Sequence, residues 1–293
     1  MKKTPEFLPE ARNPLTFLDP LIDPECYIGK VVSCSVRSYD YSANEMEVFI
    51  GNSFYGIIPL SELSIYDLGD ADYKSLAPFF ADSRLLTAEI IGYFSDTKRF
   101  LLSRKKNMEN ALLYFSSLEG SSKVIYARKT GATQSHAFVD IGAGIYGAIS
   151  YKEISSSYVN PSDYFNKIDY IPVHILYQNV YGKFIVSYRS TIPYQNFEVG
   201  DIVSGRVVGP VKDLSGLFIE LNPNQAGILN ADFGLHIAHC DDDDREWFVV
   251  LNENNNFPPR IIRKNETYLF SIRAIKDDPS QFKLSFADRK SVV

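Results

Sequence analysis

Ser135-His136-Ala137-Phe138-Val139-Asp140-Ile141-Gly142-Ala143-Gly144-Ile145-Tyr146-Gly147-Ala148-Ile149-Ser150 is the stretch on which the fold turns. Its first half alternates with period two, Ala137, Val139 and Ile141 on one face and His136, Phe138 and Asp140 on the other, which is the pattern of a half-buried strand. A glycine turn follows, then a second short strand through Tyr146 to Ile149. With Ala, Val and Ile assigned to the core, Phe138 is left on the outer face, where an aromatic ring needs a reason.

The same pattern occurs twice more, as Glu45-Met46-Glu47-Val48-Phe49-Ile50-Gly51-Asn52-Ser53-Phe54-Tyr55-Gly56-Ile57-Ile58 and Gly216-Leu217-Phe218-Ile219-Glu220-Leu221-Asn222-Pro223-Asn224-Gln225-Ala226-Gly227-Ile228-Leu229. In every copy a glycine opens the second strand nine residues after the outward position: Gly56 after Glu47, Gly147 after Phe138, Gly227 after Phe218. A β-rich run precedes each copy (Val31–Val36, Val124–Ala127, Val203–Val208), and each is followed by an apolar run closing on serine: Leu102-Ser103, Val186-Ser187 and Leu284-Ser285. Three copies of one small all-β unit follow, each short enough to need barrel closure to bury a core.

These residues carry a resemblance to a known family. The Phe-Val-x-Ile type strand, the glycine step and the closing apolar-Ser are similar to the S-one RNA-binding domain, the OB-fold module repeated in the largest protein of the bacterial small ribosomal subunit. The resemblance runs from about Tyr27 to Lys290. It implies an all-β chain of three tandem five-stranded OB-fold barrels: an arm over 1–26, a first barrel over 27–106, a linker helix over 107–120, a second barrel over 121–192, and a third over 193–293 with an acidic insertion at 234–259.

Composition fits that class. The chain has 293 residues, 45% hydrophobic and 23% charged, with 19 Tyr and 20 Phe against a single Trp. Barrel cores account for much of this aromatic load, and a base-stacking surface for the rest. No secretory signal or membrane span is visible, and Cys26, Cys34 and Cys240 suit no disulfide framework. A soluble cytoplasmic protein without membrane attachment is expected.

Net charge is −6, which argues against simple phosphate neutralisation as the source of affinity. Divided after 120 and 197, the chain carries 12 Lys+Arg against 17 Asp+Glu, then 7 against 4, then 11 against 15. The middle unit alone is positive.

In order along the chain, Leu15, Phe17, Leu18, Leu21 and Ile22 are expected to pack the arm on the first barrel. Leu60-Ser61-Glu62-Leu63 reads as a turn of helix in that barrel's long connection. Its outward position is Glu47, which repels phosphate, with Phe49, Tyr55 and Arg99 as partial compensation. Met108, Ala111, Leu112, Phe115 and Leu118 have helical spacing and read as a linker helix packed between barrels. In the second barrel the resemblance carries over Phe138 as the outward stacking aromatic and Lys183 as the basic residue before the last strand. His136, Tyr146 and Tyr151 are neighbours of that face. The family pattern fails at Ser135, Ser150 and Asn179, where an aromatic, a histidine and an aspartate are common. The third barrel retains Phe218. Its insertion holds His236, His239, Cys240 and Asp241–Asp244, which lack the ligand spacing of a zinc site. A solvated acidic loop anchored by Trp247 and Phe248 is expected there.

No phosphate-binding glycine loop, nucleophile elbow or metalloprotease helix is present, so catalysis, a cofactor and a metal are not expected. The resemblance implies non-catalytic binding of single-stranded RNA in a translation- or RNA-metabolism-associated role, through Phe138, Lys183, His136, Tyr146, Tyr151, Phe218, Phe49 and Arg99. The competing reading is a protein-interaction scaffold, whose acidic first and third barrels dock on a basic partner such as a ribosomal protein.

Overall fold

The computed structural model describes residues 7–10, 16–51, 53–66, 68, 85–211, 215–230, 235–242, 245–252, 260–276 and 281–287. Three closed barrels are present. The first is built from β1 (Val31–Asp40), β2 (Glu45–Ile50), β3 (Phe54–Pro59), β4 (Leu85–Phe94) and β5 (Arg99–Ser103). The second uses β6 (Ile125–Ala132), β7 (His136–Gly142), β8 (Ile145–Ser150), β9 (Tyr170–Gln178) and β10 (Phe184–Ser187). The third uses β11 (Ile202–Pro210), β12 (Gly216–Asn222), β13 (Gln225–Asn230), β17 (Thr267–Ile275) and β18 (Gln281–Phe286). Each has the order 1-2-3-5-4 closing back on strand 1, with the third and fifth strands parallel. That is the topology of an OB-fold, so the all-β reading stands.

The repeated glycine has a packing cause. A Cβ on Gly56 would run into the Leu102 side chain and lie 3.1 Å from the Phe100 carbonyl; one on Gly147 would stand 3.0 Å from Ile141 Cγ2 and 3.1 Å from Val139 Cγ2; one on Gly227 would run into Leu284. Gly56 sits opposite Phe100, Gly147 opposite Phe184 and Gly227 opposite Phe282. At each of these crossings the barrel is closed by side chains that fill the place a methyl group would take.

The chain falls into two compact units, one of residues 1–131, 138–148 and 167–186, the other of 132–137, 149–166 and 187–293. In the first unit, helix α1 (Arg104–Ser116) starts where β5 ends. The closing serine Ser103 is its N-cap, with Oγ accepting from Lys106 N at 2.9 Å. Helix and barrel are thus continuous, and the helix begins and ends a few residues earlier than its sequence pattern suggests. Met108, Ala111 and Phe115 are buried as expected, together with Arg104 and Asn107, while Leu118 lies beyond the helix.

Arg104 is buried because Glu10, from the N-terminal arm, is buried against it. Arg104 Nε donates to Glu10 Oε1 and Nη2 to Oε2, both at 2.8 Å, and Nη1 donates to the Leu63 carbonyl at 2.9 Å. Thr87 N in β4 also donates to Glu10 Oε1, and the arm's own Glu10 N donates to Asp140 Oδ2 in β7 at 2.8 Å. Ala143 N donates to the Leu8 carbonyl, while Phe7 packs its ring against Tyr114 and Phe115 of α1. The arm therefore docks on barrel two and α1 as well as barrel one. Of the residues expected to anchor it, only Leu18 is buried; Phe17, Leu21 and Ile22 are exposed, Leu21 to 92%, and Leu15 lies outside the described residues. The arm is held by a buried ion pair and backbone bonds instead of by that apolar set.

Asp140 is likewise corrected: it alternates outward with Phe138 in sequence, yet is 1% exposed, because the arm covers that end of β7.

In the second unit, the β12–β13 turn is fastened by side-chain amides. Asn224 accepts from Arg189 Nε at 2.9 Å and donates to the Arg189 carbonyl, and Gln225 exchanges two 2.8 Å bonds with the backbone of Gln195. Ser156 N donates to the Pro223 carbonyl. The insertion is a three-stranded sheet, β14 (Leu235–Asp242), β15 (Arg245–Asn252) and β16 (Arg260–Arg263), rather than a loop. Phe248, Val250 and Ile262 join the barrel's core, and this apolar alternation is what holds the segment extended. Phe248 anchors it as expected; Asp243 and Asp244, and the side chains of His236, His239, Cys240, Asp241, Asp242 and Trp247, lie outside the described residues.

Two outcomes follow. Gly56→Ala should destabilise the protein by about 1–3 kcal/mol in urea unfolding, whereas Gly131→Ala, with open space at its Cβ, should change it by less than about 0.5–1 kcal/mol. Glu10→Ala should cost about 3–5 kcal/mol by stranding a buried guanidinium, and Glu10→Met combined with Arg104→Met should cost far less than the sum of the two single changes.

Candidate nucleic-acid interface

The second strand of each barrel presents the outward position in the same way. Phe138 is 40% exposed between Ala137 and Val139, both at 0%, and Phe218 is 38% exposed between Leu217 and Ile219, also at 0%. In barrel one the position is Glu47. Its carboxylate meets Arg99 Nη1 at 3.4 Å and accepts from Ser38 Oγ at 2.7 Å. Phe49 packs on Tyr55 with ring centroids 4.3 Å apart, and Arg37 lies over Tyr55 at 5.5 Å. Glu47, Phe49, Tyr55 and Arg99 are therefore brought together, and the arginine that would meet phosphate is occupied by the carboxylate.

A second equivalent pair lies where the third strand meets the fifth. In barrel one Tyr55 is opposite Arg99, and in barrel three Ala226 is opposite Gln281. In barrel two the corresponding residues are Tyr146, just before Gly147, and Lys183, just before Phe184. Barrel two thus combines an outward Phe138 on β7, an exposed Tyr146 on β8 and an exposed Lys183 leading into β10, on strands in the order β10-β8-β7. The hairpin before Lys183 is fixed by Asn179, whose Oδ1 accepts from Tyr181 N and Lys183 N at 3.0 Å.

Sequence reading missed Tyr66. It comes from barrel one's connection, stacks on Tyr146 with centroids 4.9 Å apart and planes at 24°, and its hydroxyl accepts from Tyr146 N at 3.2 Å. Burial pushes its hydroxyl pKa up, so it stays a neutral phenol. The two tyrosines are 80 residues apart in the chain. No local pattern could have joined them.

His136 and Tyr151 belong to the other unit. There His136 Nδ1 is 2.9 Å from Ser135 Oγ, and Tyr151 N donates to the Ser135 carbonyl. The Tyr151 ring contacts Tyr158, with Lys152 5.9 Å from its centroid.

In barrel three, Phe218 lies opposite Gly209 and Ile228. Two residues beyond Phe218, Glu220 is paired with the partly buried Arg206, whose Nε donates to Oε2 at 2.8 Å and whose guanidinium is stacked 5.0 Å over Tyr164. Burial, reinforced by Glu220, pushes the Tyr164 hydroxyl pKa up.

No protein-family model matches the chain, and no curated protein matches it. Solved structures to which the chain is similar include the following. One is the solution structure of GSP13 from Bacillus subtilis, at 19% identity over 33% of this chain and 64% of that one, with a TM-score of 0.21. Another is the crystal structure of a multidomain protein with nucleic acid binding domains from Streptococcus pneumoniae TIGR4, at 11% identity over 90% of this chain and 75% of that one, with a TM-score of 0.24. The chain spans less than two thirds of GSP13. The barrel assignment rests on strand order. Among the described residues no group of histidine, cysteine and carboxylate side chains is arranged to hold a metal, and no helix is long and apolar enough to cross a membrane.

Asp140, two residues beyond Phe138, titrates unusually. Burial, then the nearby Glu10 carboxylate, push its pKa from 3.8 up to about 7, against the backbone N–H bonds it accepts from Glu10 and Gly142. Buried beside a second carboxylate, Asp140 leaves the folded state holding a proton that the unfolded chain releases at lower pH. This contribution is complete below pH 3.8 and is lost as pH rises through about 7. Urea unfolding at about pH 5 and about pH 8 should show wild type losing more stability on the alkaline side than Asp140→Asn does.

Proposed function

We propose that this chain binds single-stranded RNA without acting on it chemically, with barrel two as the principal site. The observation that carries this reading is Phe138, a phenylalanine 40% exposed in mid-strand between fully buried neighbours. An exposed ring on an OB barrel offers a face to an unpaired base, and stacking contributes about 1–3 kcal/mol per base with little sequence preference. Tyr146 and Lys183 add a second ring and a phosphate-seeking cation, in the stretch 121–197 that is net positive. Barrel three, with Phe218 but Ala226 and Gln281, is a weaker second site. Barrel one, with Glu47 on its face, contributes least. A role in translation or RNA metabolism in the cytoplasm suits such a binder, and no step of it calls for a cofactor.

The scaffold reading keeps one observation in its favour: Glu47 neutralises the arginine of barrel one's own face, leaving an acidic first third suited to a basic protein. Fluorescence anisotropy with a labelled oligouridylate at low and moderate salt separates the two. Wild type should bind and weaken with salt, and Phe138→Ala with Lys183→Ala should lose about 1–3 kcal/mol and reduce the salt slope by about 0.7. No binding by wild type at low salt would overturn the RNA reading and leave a basic protein partner in its place.

A further inference from the structure

Tyr66 lies in no barrel strand, yet its position is set from both sides. Upstream, Leu63 is buried in barrel one's core and its carbonyl accepts from Arg104; downstream, Leu68 packs against the same core. Tyr66 N donates to Ser64 Oγ at 3.0 Å, closing a local turn that projects the ring. The ring lands on Tyr146, one of the two exposed aromatics of barrel two's site.

The bond from Tyr146 N is informative. In barrel one the equivalent Tyr55 is in ladder register with Arg99, but in barrel two the described pairing of β8 with β10 begins one residue later, at Gly147 and Phe184. Tyr66 Oη takes the N–H at the open end of that ladder. Barrel one's connection thus finishes the edge of barrel two at the place where Lys183 enters β10.

The underlying contact is as tightly specified. Gly144, in the turn before Tyr146, has φ +77, and a Cβ there would run into the Arg104 guanidinium and stand 3.0 Å from Glu10 Oε2. The turn carrying Tyr146 is therefore seated on the Glu10–Arg104 pair, while Arg104 also holds the segment leading to Tyr66. One guanidinium registers both rings.

We infer that Tyr66 and Tyr146 form a composite two-ring stacking platform, through which barrel one's connection contributes directly to RNA binding on barrel two. The inference rests on the RNA reading and deepens it, because it makes the binding site a property of two barrels. Two near-parallel rings presented together order no new side chain on binding, which keeps the entropic cost of stacking a base low. The recognised ligand is an unpaired segment with one base on the platform and another at Phe138.

The test uses the full chain and the labelled oligouridylate. Tyr66→Ala should weaken binding by about 5-fold or more, and Tyr66→Phe, which keeps the ring, should stay within about 2-fold of wild type. A Tyr66→Trp variant adds a direct readout: its emission above the Trp247 background should be quenched by RNA, an effect that a purely structural role would not produce. Tyr66→Ala binding like wild type, or Tyr66→Trp emission unmoved by RNA, while Phe138→Ala with Lys183→Ala still loses affinity, would overturn the platform and leave the RNA reading intact. Wild type failing to bind at low salt would overturn both.

Discussion

The bidentate pair between Glu10 and Arg104 is the interaction on which the first unit depends. A guanidinium at the start of a helix, 2% exposed, is tolerable only with its charge matched and its donors filled. Glu10 does the matching and, through its second set of contacts, reaches β4 of barrel one and Asp140 of barrel two. Three segments distant in sequence are placed by one residue, α1 and β4 through its carboxylate and β7 through its backbone N–H. A helix joining two barrels would otherwise leave their relation to the soft torsions at its ends.

Equivalent positions in the repeats meet different fates. Phe49, Asp140 and Glu220 each lie two residues beyond the outward position. In barrel one the residue is an aromatic against Tyr55. In barrel two it is a carboxylate sealed under the arm and bonded to backbone N–H groups, and in barrel three a carboxylate closed by Arg206. The strand geometry is shared; what differs is the segment laid across the turn that follows. Residues 7–10 lie on the second barrel's turn and residues 189–195 on the third's, while a Cβ on Gly51 in the first would stand 2.8 Å from the Thr16 carbonyl.

This difference marks how far the sequence could be read. The barrels were legible because closure imposes local constraints: a glycine where β3 crosses β5, an apolar alternation, and a serine that ends one barrel and, at Ser103, caps the next helix. Phe138 could be placed for the same reason, since alternation within one strand sets it, whereas Lys183 was singled out by the family resemblance. Glu10, Arg104 and Tyr66 could not. Their partners lie 94 and 80 residues away, and nothing in the local pattern of a proline-rich arm announces a buried ion pair. The insertion was misread as a loop because its aspartate run dominates the composition, whereas alternation of Phe248 and Val250 decides the structure.

The acidic balance of the chain is consistent with a nucleic-acid face once the charges are located. Arg99 and Arg206, cations near the outward positions of barrels one and three, are each held by a carboxylate of the same barrel. Among the described residues Lys183 enters no ion pair, and it stands beside the one barrel with both outward rings. In the RNA reading proposed above, Lys183 is the cation on these outward faces left to meet phosphate, so that reading assigns most of the affinity to stacking. Stacking energy depends on how many rings are presented in fixed relation, which is what the arm and α1 supply by seating Tyr66 against Tyr146. The buried ion pair and the exposed rings are then two ends of one device: charge is spent inside the protein to hold aromatic surface rigid outside it.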